Sequence, residues 1–505
     1  MKLKKIYINL IFLLVAACAA PSDYESLQQT PDMFPDYADV TVPCNIAPLN
    51  FRINGIDRHR TWFVAGRDSF VVTGRSEVTI PLRKWKRLLA THHNNEQLFM
   101  KIYAEKDGRR FRYPPVAVTI APDSVDSYFV YRLVDPCYHW GHLGIYQRDL
   151  SSFAVTPVLT NSLTDGNCMN CHSFCQNNPR KMLLHLRAEN AGTLFVNNGK
   201  TTKVNTKVKN NVSAGVYPRW HPDGRYVAFS VNMTLQLFHS MNQRLIEVYD
   251  AESDLVLYDT ETMTLLNFPL LRNPNMLETF PEWSPDGHTL FFCNASSLYE
   301  EGMPRQFGSY TKDIDRLTSV NPNMLPSFEV RYGLFSVSFD PDKGNIGSRI
   351  DTVLIADGKS VSHPRISPDG KYILLNLSDF GTFPIWQESN DLYLLDMQTR
   401  ELRAADELNS PRSDSYHCWT TNGRWVVFSS RRIDGIYTHP YIAYFDKNGR
   451  FGKPFIIPQK YSYYYEHLMR SFNIPEFVTG KIEPDIRTLE SVSHSAAQPV
   501  KEETR

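Results

Sequence analysis

The stretch YPRWHPDGRYVAFS, residues 217–230, decides the fold. It recurs as FPEWSPDGHTLFFC at residues 280–293, as HPRISPDGKYILLN at residues 363–376, and more weakly as HCWTTNGRWVVFS at residues 417–429. In each copy two apolar runs flank a Pro-Asp-Gly or Asn-Gly turn, in which Pro presets φ and Gly takes the position that needs a positive φ. The repeat therefore predicts a series of β-hairpins.

Further apolar runs between the copies, DLVLYD at residues 254–259 and DLYLLD at residues 391–396, each end in a polar turn. A hairpin with an outer strand pair makes a four-stranded unit, and such units repeated along a chain close radially into a β-propeller. Weaker runs at residues 192–196 and 335–339 predict two more blades, which makes six over residues 181–478. Seven blades and an open β-sandwich remain alternatives.

The segment before the propeller is also rich in short apolar runs. These runs, within residues 40–136, predict a small β-sandwich of fibronectin or immunoglobulin type, so the whole chain is predicted to be all-β. The flanking regions are predicted to be a tether at residues 19–39, a linking segment at residues 137–180 and a disordered tail at residues 479–505. Lys+Arg and Asp+Glu both number 54, so no basic excess indicates nucleic acid.

Residues 168–172 read CMNCH, which is the attachment pattern of a c-type haem. Two thiols can add to the two vinyl groups of one porphyrin, and the following imidazole can ligate the iron. The pattern predicts one covalent haem c on Cys168 and Cys171, with His172 as the proximal iron ligand. Met182 and His185 follow closely enough to supply the distal ligand. A disulfide or redox pair, and a metal site, remain alternatives.

Two further cysteines are predicted to pair. Cys44 opens the predicted sandwich and Cys137 closes it, so the two thiols can form a disulfide in an oxidising compartment.

The N-terminus predicts export. Residues 1–18, MKLKKIYINLIFLLVAAC, join a basic start to an apolar run that is short for a membrane span. The end of this run resembles the lipobox of bacterial lipoproteins, which implies cleavage before Cys18 and lipid on its thiol. Ala19 then favours the outer membrane over the inner one. A plain secretory signal is the alternative.

The Pro-Asp-Gly repeat resembles the TolB-like branch of WD-type propellers, whose hallmark is the same turn. Nearly the whole chain resembles predicted lipoproteins of Bacteroidetes-type bacteria that pair a sandwich, a segment like GNCMNCHSF (residues 166–174) and a TolB-like propeller. This resemblance implies a cell-envelope protein and brings no established substrate, reaction or oligomeric state.

Two functions follow from these features. The first is electron transfer through the haem, with the propeller docking a redox partner or shielding the ring. The second is an envelope binding or assembly module without a redox role, since TolB-like propellers bind partner peptides at the channel mouth. An enzyme is disfavoured, because the chain has no Gly-x-Ser-x-Gly and too few residues after 478 for a hydrolase domain.

Overall fold

The structure is a computed structural model that describes residues 24–135, 141–238, 246–297 and 330–505. Its N-terminal module contains ten strands and one helix: β1 Glu25–Ser26, β2 Met33–Phe34, β3 Val40–Pro43, β4 Phe51–Ile53, β5 Arg58–Ala65, β6 Asp68–Gly74, β7 Glu77–Val78, α1 Leu82–Thr91, β8 Glu96–Lys106, β9 Arg109–Arg112 and β10 Val116–Ala121.

Two sheets form this module, which confirms the predicted sandwich. The larger sheet runs β1-β9-β8-β10-β3, with β5 on the other side of β8 and β6 beyond it, and the smaller sheet runs β2-β4-β7. Helix α1 was not predicted, although Trp85, Leu88 and Leu89 recur at helical spacing and are buried. Phe63 of the larger sheet packs edge-on against Trp85, so the helix covers the inner side of that sheet.

The remaining strands belong to the propeller and the C-terminal segment. They are β11 Tyr128–Val134, β12 Gly144–Asp149, β13 Val155–Thr160, β14 Met169–Phe174, β15 Lys181–Leu186, β16 Gly192–Asn197, β17 Lys200–Asn205, β18 Val216–Trp220, β19 Tyr226–Phe238, β20 Ile246–Asp259, β21 Thr264–Asn267, β22 Met276–Trp283, β23 Thr289–Ser296, β24 Gly333–Asp340, β25 Asn345–Leu354, β26 Ser360–Ile366, β27 Tyr372–Ser378, β28 Asp391–Asp396, β29 Leu402–Ala404, β30 Asp414–Trp419, β31 Trp425–Ser430, β32 His439–Tyr444, β33 Phe455–Ile456, β34 Ser471–Val478, β35 Gln498–Pro499 and β36 Lys501–Thr504.

The described residues of the propeller form six blades. Blade 1 is β34 with β11, β12 and β13; blades 2 to 6 are β14–β17, β18–β21, β22–β25, β26–β29 and β30–β33. The innermost strands contact one another in the cyclic order β14, β18, β22, β26, β30 and β34, and β34 returns to β14. The ring is therefore closed, as predicted.

Blade 1 joins the two ends of the propeller chain, because C-terminal strand β34 pairs antiparallel with β11. The propeller therefore begins at Tyr128 rather than at residue 181, and the predicted boundaries are wrong there. The runs at residues 192–196 and 335–339 do not start blades; they lie in the third strands of blades 2 and 4. The linking segment predicted at residues 137–180 also does not exist as a unit, since β14 is the inner strand of blade 2.

The Pro-Asp-Gly turns occupy equivalent positions in successive blades, which confirms the repeat. Each Gly amide donates to the carbonyl three residues earlier, as Gly224 does to His221 and Gly370 does to Ser367. Neighbouring blades also meet at these turns: the His221 Nε2 of blade 3 lies 2.9 Å from the carbonyl oxygen of Gly287 in blade 4. Indole nitrogens add further links, since Trp283 Nε1 donates to the Arg219 carbonyl at 3.1 Å.

The C-terminal segment is ordered, so the predicted disorder at residues 479–505 is wrong. It holds helix α3 (Ile486–Ser493), whose N-cap Asp485 accepts a hydrogen bond from the Thr488 amide, while the short helix α2 (Tyr464–His467) precedes β34. Strands β35 and β36 then add to the outer edges of blades 2 and 3. None of the described helices is long and apolar enough to cross a membrane.

The N-terminal module packs directly on blade 6. Asp126 accepts hydrogen bonds from the amide and the hydroxyl of Thr421, and the Trp425 indole donates to the Asp123 carbonyl at 3.1 Å. Trp425 is fully buried in a hydrophobic core that residues of both parts share. The module and the propeller therefore form one continuous core.

The contact between neighbouring turns gives a stability prediction. A Cβ at Gly287 would lie 2.3 Å from His221 Nε2, whereas a Cβ at Gly108 would meet no atom within 4 Å. Both glycines have φ near +75°, so Ala at either position costs about 1 kcal/mol of backbone strain. We expect Gly287→Ala to cost about 2 kcal/mol more than Gly108→Ala in urea unfolding. Equal losses would contradict the proposed contact between the turns.

Candidate functional site in the propeller channel

Every inner strand carries a β-bulge that points one residue at the central channel. In each strand the register with its neighbour shifts at this point, and a residue other than Gly adopts a φ between 45° and 55°. Such backbone is sparsely populated and is common near functional sites. The six residues are Cys171, Tyr217, Phe280, His363, Tyr416 and Ile474.

These six bulge residues form an aromatic-rich layer around a cavity of about 30 Å³. The ring centroids of Phe280 and His363 are 4.0 Å apart, and those of His363 and Tyr416 are 4.8 Å apart. Tyr217 continues the layer, with its ring centroid 4.6 Å from that of Phe280. Cys171 and Ile474 complete it without a ring. The layer narrows the channel to a volume that holds one or two water molecules.

Four charged residues, Arg219, Glu282, Arg365 and Glu476, each lie two residues after the bulge residue of their strand, and His172 lies one residue after Cys171. The Arg219 Nε is 3.2 Å from Glu282 Oε2, and its Nη1 is 3.4 Å from Glu476 Oε1. The Arg365 Nη1 is 3.1 Å from the same Glu282 oxygen, and the His172 Nε2 is 3.6 Å from Glu476 Oε2. The chain of contacts therefore links blades 1 to 5 across the channel.

The charged end of the channel is open to solvent. The four charged side chains keep 10–17% of their surface exposed. Of the residues just before the bulges, Val216, Thr279, Ser362, Ser415 and Asn473 are buried and Asn170 is half-buried. A ligand that entered from the Pro-Asp-Gly side would meet the charged groups before the aromatic layer.

Burial sets the protonation of these groups. It raises the pKa of Glu282 and of Glu476 to about 7 against the opposing effect of Arg219. It lowers the pKa of His172 and of His363 to about 3, so both imidazoles are neutral near pH 7. Neither nitrogen of His363 has a hydrogen-bond partner among the described residues. The site thus combines two guanidinium groups, two carboxyl groups and neutral imidazoles.

The Cys-x-x-Cys-His segment is one of the six inner strands. Cys171 and His172 line the channel cavity. Cys168 instead packs in the hydrophobic core with Val130 and Leu143, where the Arg132 Nη2 lies 3.6 Å from its Sγ. The segment is extended, with the bulge at Cys171, and not a helical turn. The thiol of Cys171 therefore lies beside the channel cavity, whereas the thiol of Cys168 lies in a hydrophobic core.

The two candidate distal ligands, Met182 and His185, cannot both lie on the same side of the blade 2 sheet as His172. Met182 lies opposite Phe174 and packs in the same core as Cys168. His185 lies opposite Asn170, and its Nδ1 is 3.2 Å from Thr193 Oγ1. Since opposed residues share a face, Met182 and His185 point to opposite sides of blade 2.

A haem does not fit this arrangement of the described residues. The cavity beside Cys171 and His172 is far smaller than a porphyrin, and both thiols and the imidazole are at least 95% buried. The haem remains a prediction from the sequence. In residues 24–135, 141–238, 246–297 and 330–505, no three His, Cys, Asp or Glu residues are grouped to hold a metal ion.

Other predicted site residues lie elsewhere or outside the described residues. Cys18 and Cys137 lie outside the described residues, so lipidation and the Cys44–Cys137 disulfide remain predictions. Cys44 pairs with no other described cysteine, and its Sγ lies 3.9 Å from the Pro122 carbonyl oxygen.

The sequence analysis missed the charged residues of the channel. They occupy one position of the repeat, as Pro-Arg-Trp at 218–220, Pro-Glu-Trp at 281–283 and Pro-Arg-Ile at 364–366. The alternation of Arg and Glu at this position is visible in the aligned copies. Adding residues 171–174 and 474–477 to that alignment would also have placed the Cys-x-x-Cys-His motif and the closing strand within the repeat.

No family model matches the chain, and no curated protein matches it. Among solved structures it is similar to a puromycin-hydrolysing peptidase of Mycobacterium tuberculosis, at 11% identity over 86% of this chain and 57% of that chain, with a TM-score of 0.33. It is also similar to the periplasmic gluconolactonase of Pseudomonas aeruginosa, at 13% identity over 66% and 97%, with a TM-score of 0.33.

A further similarity is to the tricorn protease, at 10% identity over 79% of this chain and 41% of that chain, with a TM-score of 0.34. The chain spans about half the length of the puromycin hydrolases that it matches. At these identities the likeness concerns the fold alone.

The buried histidine of the aromatic layer makes stability depend on pH. The pKa of His363 falls from its ordinary value of 6.5 to about 3, so the unfolded chain binds a proton that the folded chain excludes. The contribution of the neutral His363 to the free energy of unfolding is therefore fully present above pH 6.5. It is lost as the pH falls, and the loss is about 2 kcal/mol at pH 5. His363→Phe, which keeps an aromatic ring between Phe280 and Tyr416, should reduce the stability difference between pH 7.5 and pH 5 by that amount.

The measurement is urea unfolding at both pH values. The same substitution at exposed His288 is the control and should leave the difference unchanged. An unchanged difference in His363→Phe would show that His363 titrates normally in the folded protein.

Proposed function

We propose that this protein is an envelope-anchored binding module. Its channel mouth holds a segment of a partner protein that carries hydrogen-bond acceptors, such as a carboxylate side chain or the carboxylate of a chain end. The observation that carries the proposal is the pair of guanidinium groups at the open end of a closed ring. This function corresponds to that of a TolB-like propeller lipoprotein, held through lipid on Cys18 and facing the periplasm or the cell surface.

The hydrogen bonds of Arg365 support this proposal. Its Nη1 donates to Glu282 and to the Pro364 carbonyl, while its Nε and Nη2 make no hydrogen bond with the described residues. Arg219 uses Nε and Nη1 for its two carboxylate partners and leaves Nη2 without a described hydrogen bond. Both side chains line the cavity, so the remaining donors can reach a ligand. A planar guanidinium suits a carboxylate or amide oxygen.

The carboxylates fix these donors in place. Glu282 contacts both arginines, and Glu476 contacts Arg219 from the opposite side. Because the two guanidinium groups are already oriented, a ligand loses less conformational entropy on binding. The aromatic layer beneath them supplies an apolar floor, which suits a side chain or a chain end that inserts a short distance.

Photo-crosslinking from the channel tests this function. Benzoylphenylalanine replaces Tyr217 in the full chain, and the envelope is irradiated. We expect one defined adduct, and Arg365→Gln should reduce its yield about tenfold because a charge-assisted hydrogen bond is lost.

Lys371→Gln removes one charge from the exposed side of the same blade and should leave the yield of the adduct unchanged. Benzoylphenylalanine at exposed Tyr461 should not give this adduct. An adduct insensitive to Arg365→Gln, or no adduct, contradicts the proposal.

The Cys-x-x-Cys-His motif favours a second candidate, electron transfer through a covalent haem c. The channel as described does not accommodate the ring, so we expect no haem on protein made with a cytochrome c maturation system. A pyridine haemochrome spectrum with a haem-stained denaturing gel decides between the two candidates. A stained band that disappears in Cys171→Ser would establish the haem, and the blade 2 strand would then have to rearrange to hold it.

A further inference from the structure

The outer side of the large N-terminal sheet carries an excess of cations. In the register of β5, β8 and β9, Arg60 lies opposite Tyr103, and Tyr103 lies opposite Arg112. Residues opposed in this way point to the same side of a sheet. Five exposed basic residues share this side, which we name the cationic face: Arg58, Arg60, Lys101, Arg110 and Arg112.

Little negative charge offsets these cations. The carboxylate of Glu105 shares the face and lies 3.7 Å from Arg110. Arg58, Arg60 and Lys101 form no salt bridge with any described residue. The chain as a whole has equal numbers of acidic and basic residues, so the charge of this face is a local concentration. It suits a partner with dense negative charge.

Aromatic residues lie among the cations. Trp62 is opposite Lys101, and Phe99 and Tyr103 follow on the same side of β8. Phe99 is 38% exposed, and Trp62 and Tyr103 are half-buried. Aromatic side chains of this kind settle at the headgroup level of membranes, where basic residues bind lipid phosphates. The combination distinguishes the cationic face from a simple patch of solvated charge.

The N-terminal chain enters the fold at this face. Strand β1 pairs parallel with β9, and the Arg112 Nε donates to Ser26 Oγ at 2.8 Å. The ring of Tyr24 contacts that of Tyr103, with centroids 5.2 Å apart. Tyr24 is the sixth residue after Cys18, so the chain between them spans at most about 20 Å. An anchor on Cys18 would therefore hold this face close to the membrane surface.

We propose that the cationic face lies on the anionic phospholipid headgroups of the membrane that holds the lipid anchor. The proposal rests on the lipidation of Cys18 in the proposed function, but not on ligand binding in the channel. The cations provide the electrostatic attraction, and the aromatic residues enter the interface. The module would then stand between the membrane and the propeller, since its other side packs on blade 6.

Vesicle co-sedimentation tests the face without the lipid. The chain from Ala19 to Arg505 is mixed with vesicles of phosphatidylcholine, alone or with phosphatidylglycerol. We expect binding to the mixed vesicles that falls with added salt and is at least about tenfold weaker without phosphatidylglycerol. Arg60→Glu with Lys101→Glu should lower the binding at least about tenfold. Arg83→Glu with Arg87→Glu reverses two exposed charges on α1, behind the sheet, and should leave binding within about twofold.

Each outcome decides the proposal. Equal binding to both kinds of vesicle, no binding, or equal losses in the two double variants overturns it. Unfolding midpoints of both variants show whether a loss reflects the face or the fold. The mass of the protein purified from membranes reports the lipid on Cys18 separately. A lipidated protein without a preference for phosphatidylglycerol would overturn the cationic face and leave the proposed function intact.

Discussion

The pairing of β34 with β11 is the interaction on which the rest of the structure depends. It joins residues from the two ends of the propeller chain into blade 1 and so closes the ring of inner strands. Each blade buries its two faces against its neighbours, so an open ring would expose two apolar faces to water. The closing strand also brings Glu476 to Arg219 and His172, which completes the chain of charged groups across the channel.

The bulges set what the channel can hold. Six residues with a positive φ converge on the axis, and four of them carry rings that pack against one another. The layer leaves room for water-sized groups and presents the charged groups at its open end. A deep ligand or a large prosthetic group would require the blades to separate. The geometry therefore favours recognition at the mouth.

Buried charge in the channel is costly unless each group is paired. Removing Arg219 would leave Glu282 paired with Arg365 alone and would leave Glu476 beside only the neutral imidazole of His172. The raised pKa of both carboxyl groups reflects the same cost. The cationic face of the N-terminal module is the opposite case, since its charges are solvated and, apart from Arg110, form no salt bridge with the described residues. The two proposed sites thus differ in the partners proposed for them: a short oriented segment in the channel and an extended anionic surface outside.

The sequence by itself determined the elements that depend on neighbouring residues. The Pro-Asp-Gly and Asn-Gly turns, the apolar runs beside them and hence four of the six blades follow from the chemistry of about fourteen residues at a time. The all-β class and the two-sheet N-terminal module follow from the same kind of alternation. The repeat also contained the charged channel positions, which an alignment of every copy would have revealed.

Only the tertiary structure decided the rest. The Cys-x-x-Cys-His motif predicts a haem attachment site, but its flanking residues pair with β15 and pack between blades, and this packing makes it an extended inner strand. Blade 1, the order of residues 479–505 and the docking of Trp425 against the N-terminal module all depend on contacts between residues hundreds of positions apart. Local turn chemistry carries no information about such contacts, because they form only when the closing ring buries the faces that each blade leaves exposed.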